Sequence, residues 1–326
     1  MHANLAAVPW ADVEVIERAS LSSEGVSGSR LERVVTADGR RLVVKTLDSG
    51  RDWVMRATGD DGRILRLWSA GVLRRLPAGV DAAVETVEAT PRGWLVVMRD
   101  VTQALLPPGR MITRAQSRRI LAAASSVHLA FGGIRLDGLC PLVDRLSFLA
   151  PSTARAVPNH ALREMILEGW HRFWDLAPAE LGPPLRALLE RPGRLAAALA
   201  AHPEALLHGD LKIANVGLDR SAVILLDWGT LTGPGPPAVD HAWYLAINSA
   251  AIDASLDDLL SDSTAALRPE DREALPMALL GAVLQLGWEK ALGATSDDRA
   301  TRARERAGLA WWCARATEAL EQWSPV

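Results

Sequence analysis

Two short segments constrain this chain more than anything else in it. His208-Gly209-Asp210-Leu211-Lys212-Ile213-Ala214-Asn215 is followed, twelve residues after Asn215, by Asp227-Trp228-Gly229. The run Ala222-Val223-Ile224-Leu225-Leu226 between them has strand character and ends at the second aspartate. One short hairpin thus carries a carboxylate, an amide oxygen and a second carboxylate. Phosphoryl transfer uses such a set: one group to orient an attacking hydroxyl, and two hard oxygen donors for magnesium on nucleotide phosphates. A plainer alternative makes Asp210 a turn cap and Asp227 a strand end. The order and spacing of the two halves favour the chemical reading.

The pair resembles the catalytic core of the protein-kinase-like superfamily, most of all its small-molecule branch of aminoglycoside phosphotransferases and choline kinases. His-Gly-Asp-Leu stands where protein kinases have His-Arg-Asp-Leu, and Asp-Trp-Gly where they have Asp-Phe-Gly. The resemblance runs roughly from Ser22 to Asp240. It implies an α+β, bilobal, protein-kinase-like fold. Residues 1–101 would form a small antiparallel-sheet N-lobe with one helix, and 102–326 a mostly helical C-lobe. It also implies transfer of the γ-phosphoryl group of ATP, with GTP left open, to a hydroxyl of a small acceptor. Asp210 would then be the catalytic base and Asn215 and Asp227 the Mg2+ ligands. Lys45 would meet the non-transferred phosphates, and Lys212 the transferred group. Met98 and Asp100 at the hinge, and Ser23, Gly25, Ser27 and Gly28 in the phosphate-covering loop, would complete the nucleotide site.

Local patterns agree with that layout. Residues 13–20, 31–36 and 41–47 read as strands, the last two joined by the turn Ala37-Asp38-Gly39-Arg40. Lys45 lies on the third, among Val43, Val44 and Leu47. The small residues between the first two strands let backbone amides approach phosphate oxygens. Leu65, Trp68, Val72 and Leu76 recur at helical spacing up to Pro77. Residues 82–89 and 94–98 are two more strands, and Arg99-Asp100-Val101 is the hinge. Helical patterns follow from Thr113 to about 130, over 160–176 and 184–201, from Asp240, and over 255–322. The short stretch Thr232–Pro237 leaves no room for a long activation segment and argues against a regulated protein kinase.

One departure stands out. The fold needs an acidic residue on the N-lobe helix to hold the strand lysine, and Ile64 occupies that place. No glutamate occurs between Lys45 and Glu85; the acids nearby are Asp48, Asp52, Asp60 and Asp61, of which Asp61, near one helical turn before Ile64, could substitute with a shorter reach. The gap leaves an alternative open: a pseudokinase that binds nucleotide without transfer. The joint presence of Asp210, Asn215 and Asp227 argues against it. Asp240 is expected to cap a helix or brace the catalytic loop, and His208 to hold that loop through a backbone hydrogen bond.

Composition narrows the partners. With 49% hydrophobic and 23% charged residues, 326 residues suffice for two lobes with their own cores. A net charge of -3 offers no basic face for nucleic acid. Cys140 and Cys313 form no ligand cluster, and a reduced, cytoplasmic setting is expected. Asp12, Glu14 and Glu17 argue against a signal peptide, and no apolar run reaches membrane-spanning length. A monomer or weak dimer with a small-molecule acceptor is expected, without nucleic-acid or membrane partners. Asp253, Asp257, Asp258, Asp262, Glu270 and Asp271 suit a cationic or sugar-like acceptor, or an ordinary solvated face. The twelve tryptophans read chiefly as core filler.

Overall fold

The computed structural model describes residues 10–21, 29–107, 109–157 and 161–323. The N-lobe comprises Val15–Leu21 (β1), Arg30–Thr36 (β2), Arg41–Asp48 (β3), Trp53–Thr58 (α1), Arg63–Ser69 (α2), Val80–Asp81 (β4), Val84–Thr90 (β5) and Gly93–Arg99 (β6). Five strands form one antiparallel sheet in the order β1-β2-β3-β6-β5. The C-lobe begins with Ile112–Thr113 (β7), Arg114–Ala130 (α3), Leu142–Ser147 (α4), Pro151–Ala156 (α5), Ala161–Leu176 (α6), Gly182–Glu190 (α7) and Gly193–Ala200 (α8). The segment after α8 holds Ala205–Leu207 (β8), Val216–Leu218 (β9), Val223–Leu225 (β10) and Gly233–Gly235 (β11). Ala238–Asn248 (α9), Ile252–Asp253 (β12), Leu256–Ala266 (α10), Pro269–Arg272 (α11), Leu275–Ala294 (α12) and Arg299–Gln322 (α13) complete the chain. This is the expected α+β arrangement: an antiparallel-sheet N-terminal region followed by a mostly helical one.

Strand periodicity sorts the N-lobe side chains. Val34, Leu42, Val44 and Val97 form a small cluster on one face of the sheet. Leu47, Val87, Val96 and Met98 face the other way and join the main core. That core continues through Ile64 and Leu67 of α2 into the C-lobe helices. Helix α12 is its axis, buried nearly all round and packed against α6, α9 and α13.

Three elements differ from the sequence pattern. The helix expected to reach Leu76 ends at Ser69, and the chain goes on in turns. A second N-lobe helix, α1, precedes it; six residues are too few for a periodic signal. The pattern over 184–201 breaks at Pro192, whose missing N–H cannot continue α7. Helix α3 starts as expected, with Thr113 and Gln116 forming a capping box. Among the described residues no helix is long and apolar enough to cross a membrane.

Candidate active site

The loop that carries Asp210 leaves β8 at His208 and is held from below. Gly209 has φ +93, and a Cβ there would collide with the Leu231 carbonyl, so only glycine fits this place. Asp240, the third residue of α9 and fully buried, accepts the backbone N–H groups of His208 at 2.7 Å and Gly209 at 3.0 Å. His128 Nε2 lies 3.0 Å from the same carboxylate. The buried Arg145 donates to the Gly209 carbonyl and lies 3.6 Å from Asp240. Burial opposes the charge on Asp240, but His128 and Arg145 outweigh it and hold the carboxyl far below the usual carboxylate range. The expected brace is therefore present, while Pro237 takes the cap position.

His208 holds the loop as anticipated. Its Nδ1 accepts the Asp210 N–H at 3.2 Å, so its Nε2 is the donor to the Leu226 carbonyl at 2.9 Å. This single ring ties the loop of Asp210 to the strand that delivers Asp227. Burial lowers the basicity of His208, which favours this neutral tautomer.

Asp210 is fixed by three donors. Trp243 Nε1 reaches Oδ1 at 3.2 Å, and Asn215 Nδ2 and Lys212 Nζ each reach Oδ2 at 3.0 Å. The Asp210 charge raises the pKa of Lys212 above its ordinary value, so Lys212 is a permanent cation. Asp227 has φ +64, a left-handed conformation unusual outside glycine, and opens onto the cleft. Lys45 Nζ lies 2.5 Å from Asp227 Oδ1. Burial opposes ionisation of Asp227, but Lys45 and Lys212 overcome it and bring the carboxyl to about 2.

Two cavities meet at the Lys45–Asp227 pair. One, of about 220 Å³, is lined by Leu31, Val43, Met98 and Asn215 together with that pair. The other, of about 100 Å³, adds Asp52, Asp210 and Lys212. Met98 thus joins the site, whereas the Asp100 carboxylate pairs with Arg33 at 2.8 Å and does not line the cavity. Ser23, Gly25, Ser27 and Gly28 lie outside the described residues.

The stand-in for the missing glutamate is not Asp61. That carboxylate is largely exposed and paired with Arg66 at 2.7 Å. A partner five residues along the same chain wins over a lysine on another element. Ile64 is a core residue: Gly229, at φ +123, packs against it so closely that a Cβ would fall 2.8 Å from the Ile64 Cβ. Asp52, 3% exposed at the start of α1, is the N-lobe carboxylate that lines the smaller cavity. Burial pushes its carboxyl up, countered in part by the Met55 N–H and by Lys45.

The acidic stretch after α9 is mostly neutralised within the fold. Arg114 pairs with Asp258 and Asp262, Arg118 with Asp262, and Arg268 with Glu270 and Asp271. Asp257 accepts Trp311 Nε1 at 2.8 Å and lines, with Asp253, Lys290 and Glu305, a cavity of about 600 Å³. Glu289 lies on α12 one turn beyond Gln285, which donates to the Arg145 carbonyl. The Glu289 Oε2 is buried without a hydrogen-bond partner among the described residues. Burial raises its pKa, and the charges of Lys290, Glu305 and Lys212 act on it.

Spacing in the sequence did not single out Trp243, Arg145, Asp52 or Glu289. Trp243 follows Asp240 by three residues on α9, so the two share a face. That signal becomes readable once Asp240 is known to meet the loop. The other three carry no local signal.

Residues 22–275 match the phosphotransferase enzyme family. No curated protein matches the sequence. Among solved structures, choline kinase LicA from Streptococcus pneumoniae is 11% identical, with 92% of this chain and 94% of that chain covered and a TM-score of 0.50. A choline/ethanolamine kinase family protein from Mesorhizobium loti is 15% identical over 98% of both chains, with a TM-score of 0.50. An aminoglycoside phosphotransferase from Alicyclobacillus acidocaldarius is 15% identical over 97% of this chain and 96% of that one, at a TM-score of 0.48. At these identities the likeness is one of fold.

Proposed function

The chain belongs to the phosphotransferase enzyme family, and we propose that it transfers the γ-phosphoryl group of ATP to a hydroxyl of a small, positively charged acceptor. The observation that carries this reading is the meeting of two cavities at Lys45 and Asp227, with Asp210 facing only the smaller one. The nucleoside would enter past Met98 and Val43, and the acceptor hydroxyl would approach Asp210 from the other side.

Each residue then has a physical task. Asp210 orients the hydroxyl and accepts its proton late, since a loose transition state asks for positioning more than basicity. Trp243 and Asn215 fix the plane of its carboxylate. Lys212 places a positive charge where the transferred group gathers negative charge. Lys45 holds the non-transferred phosphates. Asn215 and Asp227 fit magnesium, which takes one or two protein oxygens and completes its shell with phosphates and water. Bound there, Mg2+ would neutralise charge on the β- and γ-phosphate oxygens. Asp227 is ionised at any working pH, because Lys45 and Lys212 keep its carboxyl near 2. The loop of Ser23, Gly25, Ser27 and Gly28 would cover the phosphates. A cytoplasmic setting, where ATP is supplied, accords with this reading.

The positive charge of the acceptor is inferred from Glu289. A buried carboxylate oxygen without a partner is costly, and an ammonium group would satisfy it. Within reach of the Lys212 and Glu305 charges, its side chain is assigned to the acceptor's approach to Asp210. Glu289→Gln should raise the KM for the acceptor about tenfold, as loss of one charge-assisted hydrogen bond does, and leave the KM for ATP unchanged. An unchanged acceptor KM would remove Glu289 from the acceptor site.

Asp227→Ala should weaken magnesium-dependent ATP binding more than Asn215→Ala, because a carboxylate brings full charge to the cation and an amide only a dipole. Titration of magnesium against ATP-induced thermal stabilisation gives the order. Equal binding by wild type and Asp227→Ala would place the metal elsewhere. The overall reading is tested by a screen with labelled ATP over amines, aminosugars, neutral sugars and nucleosides. Transfer to a cationic alcohol is expected. Nucleotide binding with no transfer to any class would support a pseudokinase instead.

A further inference from the structure

We infer that Asp52 is the positioning residue for Lys45 in the nucleotide-bound protein, supplying from the start of α1 the negative charge that Ile64 cannot. The inference rests on the proposed roles of Lys45 at the phosphates and Asp227 at magnesium.

Lys45 has one acidic partner within ion-pair distance among the described residues, Asp227 at 2.5 Å. A carboxylate committed to a cation cannot also keep an ammonium against the same oxygen, so Lys45 must turn towards the phosphates. Its ammonium then needs a fixed negative neighbour, or its side-chain freedom is lost only on binding.

The smaller cavity offers three carboxylates: Asp52, Asp210 and Asp227. Asp210 is taken by Trp243, Asn215 and Lys212. Asp227 is assigned to magnesium. The other N-lobe acids near α1 and α2 are engaged as well. Asp48 accepts the Gly50 N–H, Asp60 accepts the Gly62 and Arg63 N–H groups, and Asp61 pairs with Arg66. Asp52 is left. It is 3% exposed and forms no ion pair among the described residues, an unfavourable state for a buried carboxylate unless a cation is at hand.

Its attachments suit the role. Oδ1 accepts the Met55 N–H at 3.0 Å, which fixes the carboxylate as the cap of α1. Among the described residues Oδ2 accepts from the Ser29 hydroxyl, at 3.3 Å, and retains room to accept from an ammonium. The buried Trp53 and Met55 anchor the start of the helix in the core, so the carboxylate cannot retreat.

Asp52→Asn separates the two functions of the side chain. Asparagine caps a helix about as well as aspartate, but brings no charge. The melting temperature without nucleotide should therefore stay at the wild-type value. The Kd for ATP, measured by calorimetry with and without magnesium, should rise about tenfold. Lys45→Ala should weaken ATP at least as much, and Lys45→Ala/Asp52→Asn should be no worse than Lys45→Ala alone, because the two act as one unit. Asp61→Ala should leave ATP affinity unchanged. Wild-type ATP affinity in Asp52→Asn, or additive losses in the double variant, would overturn the inference. If Asp52→Asn lowers the melting temperature, Asp52→Ser, another good cap, is used for the same comparison. Wild-type ATP affinity in Lys45→Ala would instead overturn the underlying assignment of Lys45, a result distinguishable from failure at Asp52.

Discussion

Asp210→Asn should lower the rate of phosphoryl transfer about 100- to 10,000-fold, the range for loss of a positioned base. ATP affinity and the folded structure should stay close to wild type. The substitution keeps the planar shape and removes the charge that orients the acceptor hydroxyl. Its cost to the fold follows from the three donors around the carboxylate, Trp243 Nε1, Asn215 Nδ2 and Lys212 Nζ. A neutral amide has one oxygen to accept with, so its NH2 group must face at least one of these donors. The site borders a cavity, so water can reach it, and a loss of about 1 kcal/mol is expected. Single-turnover measurements with saturating ATP separate the chemical step from binding. A single-turnover rate equal to wild type would show that Asp210 is not the base.

Asp240→Ala should be the most damaging single change to the fold around the site. The carboxylate is fully buried and receives the His208 and Gly209 N–H groups and His128, with Arg145 beside it. Removing it leaves the buried Arg145 without its counter-charge and two backbone donors without an acceptor. Breaking a buried pair in this way costs about 3–5 kcal/mol. For a chain of this size, whose unfolding entropy grows with its length, that should lower the melting temperature by roughly 4–7 °C. The catalytic loop would lose its floor as well, so activity should fall with stability. The pH dependence has a definite sign. The native carboxyl lies far below its unfolded value, so its contribution is complete at neutral pH. It should be lost only as acid takes the pH below the unfolded value and towards the native one. Denaturant unfolding at neutral pH provides the check. A loss under about 1 kcal/mol would mean that His128 and Arg145 find other partners.

The residues legible in advance share one property: they are close in sequence. His208, Asp210, Lys212, Asn215 and Asp227 lie on a single hairpin, and its turn and strand geometry suffice to gather them. Lys45 was picked out by the apolar Val43, Val44 and Leu47 around it and by the small-residue loop upstream, and Thr113 because a cap signals through its own helix start. Spacing misled where two acids competed at close range. Asp61 sits where a helical turn would place a brace, yet Arg66, five residues along the chain, captures it.

The rest was decided by tertiary packing. Asp52 enters the cavity because the buried Trp53 and Met55 anchor a six-residue helix that has no periodic signature. Arg145 reaches the loop from α4, and Glu289 comes from α12, a helix so evenly apolar that no face stands out in its sequence. By itself the sequence determined the class of chemistry, because the reacting groups are spaced by local backbone geometry. Which charges orient those groups, and what lies across the cleft from Asp210, depended on contacts between distant segments. Such contacts are selected by burial and by the pairing of buried charges, and neither leaves a fixed spacing along the chain.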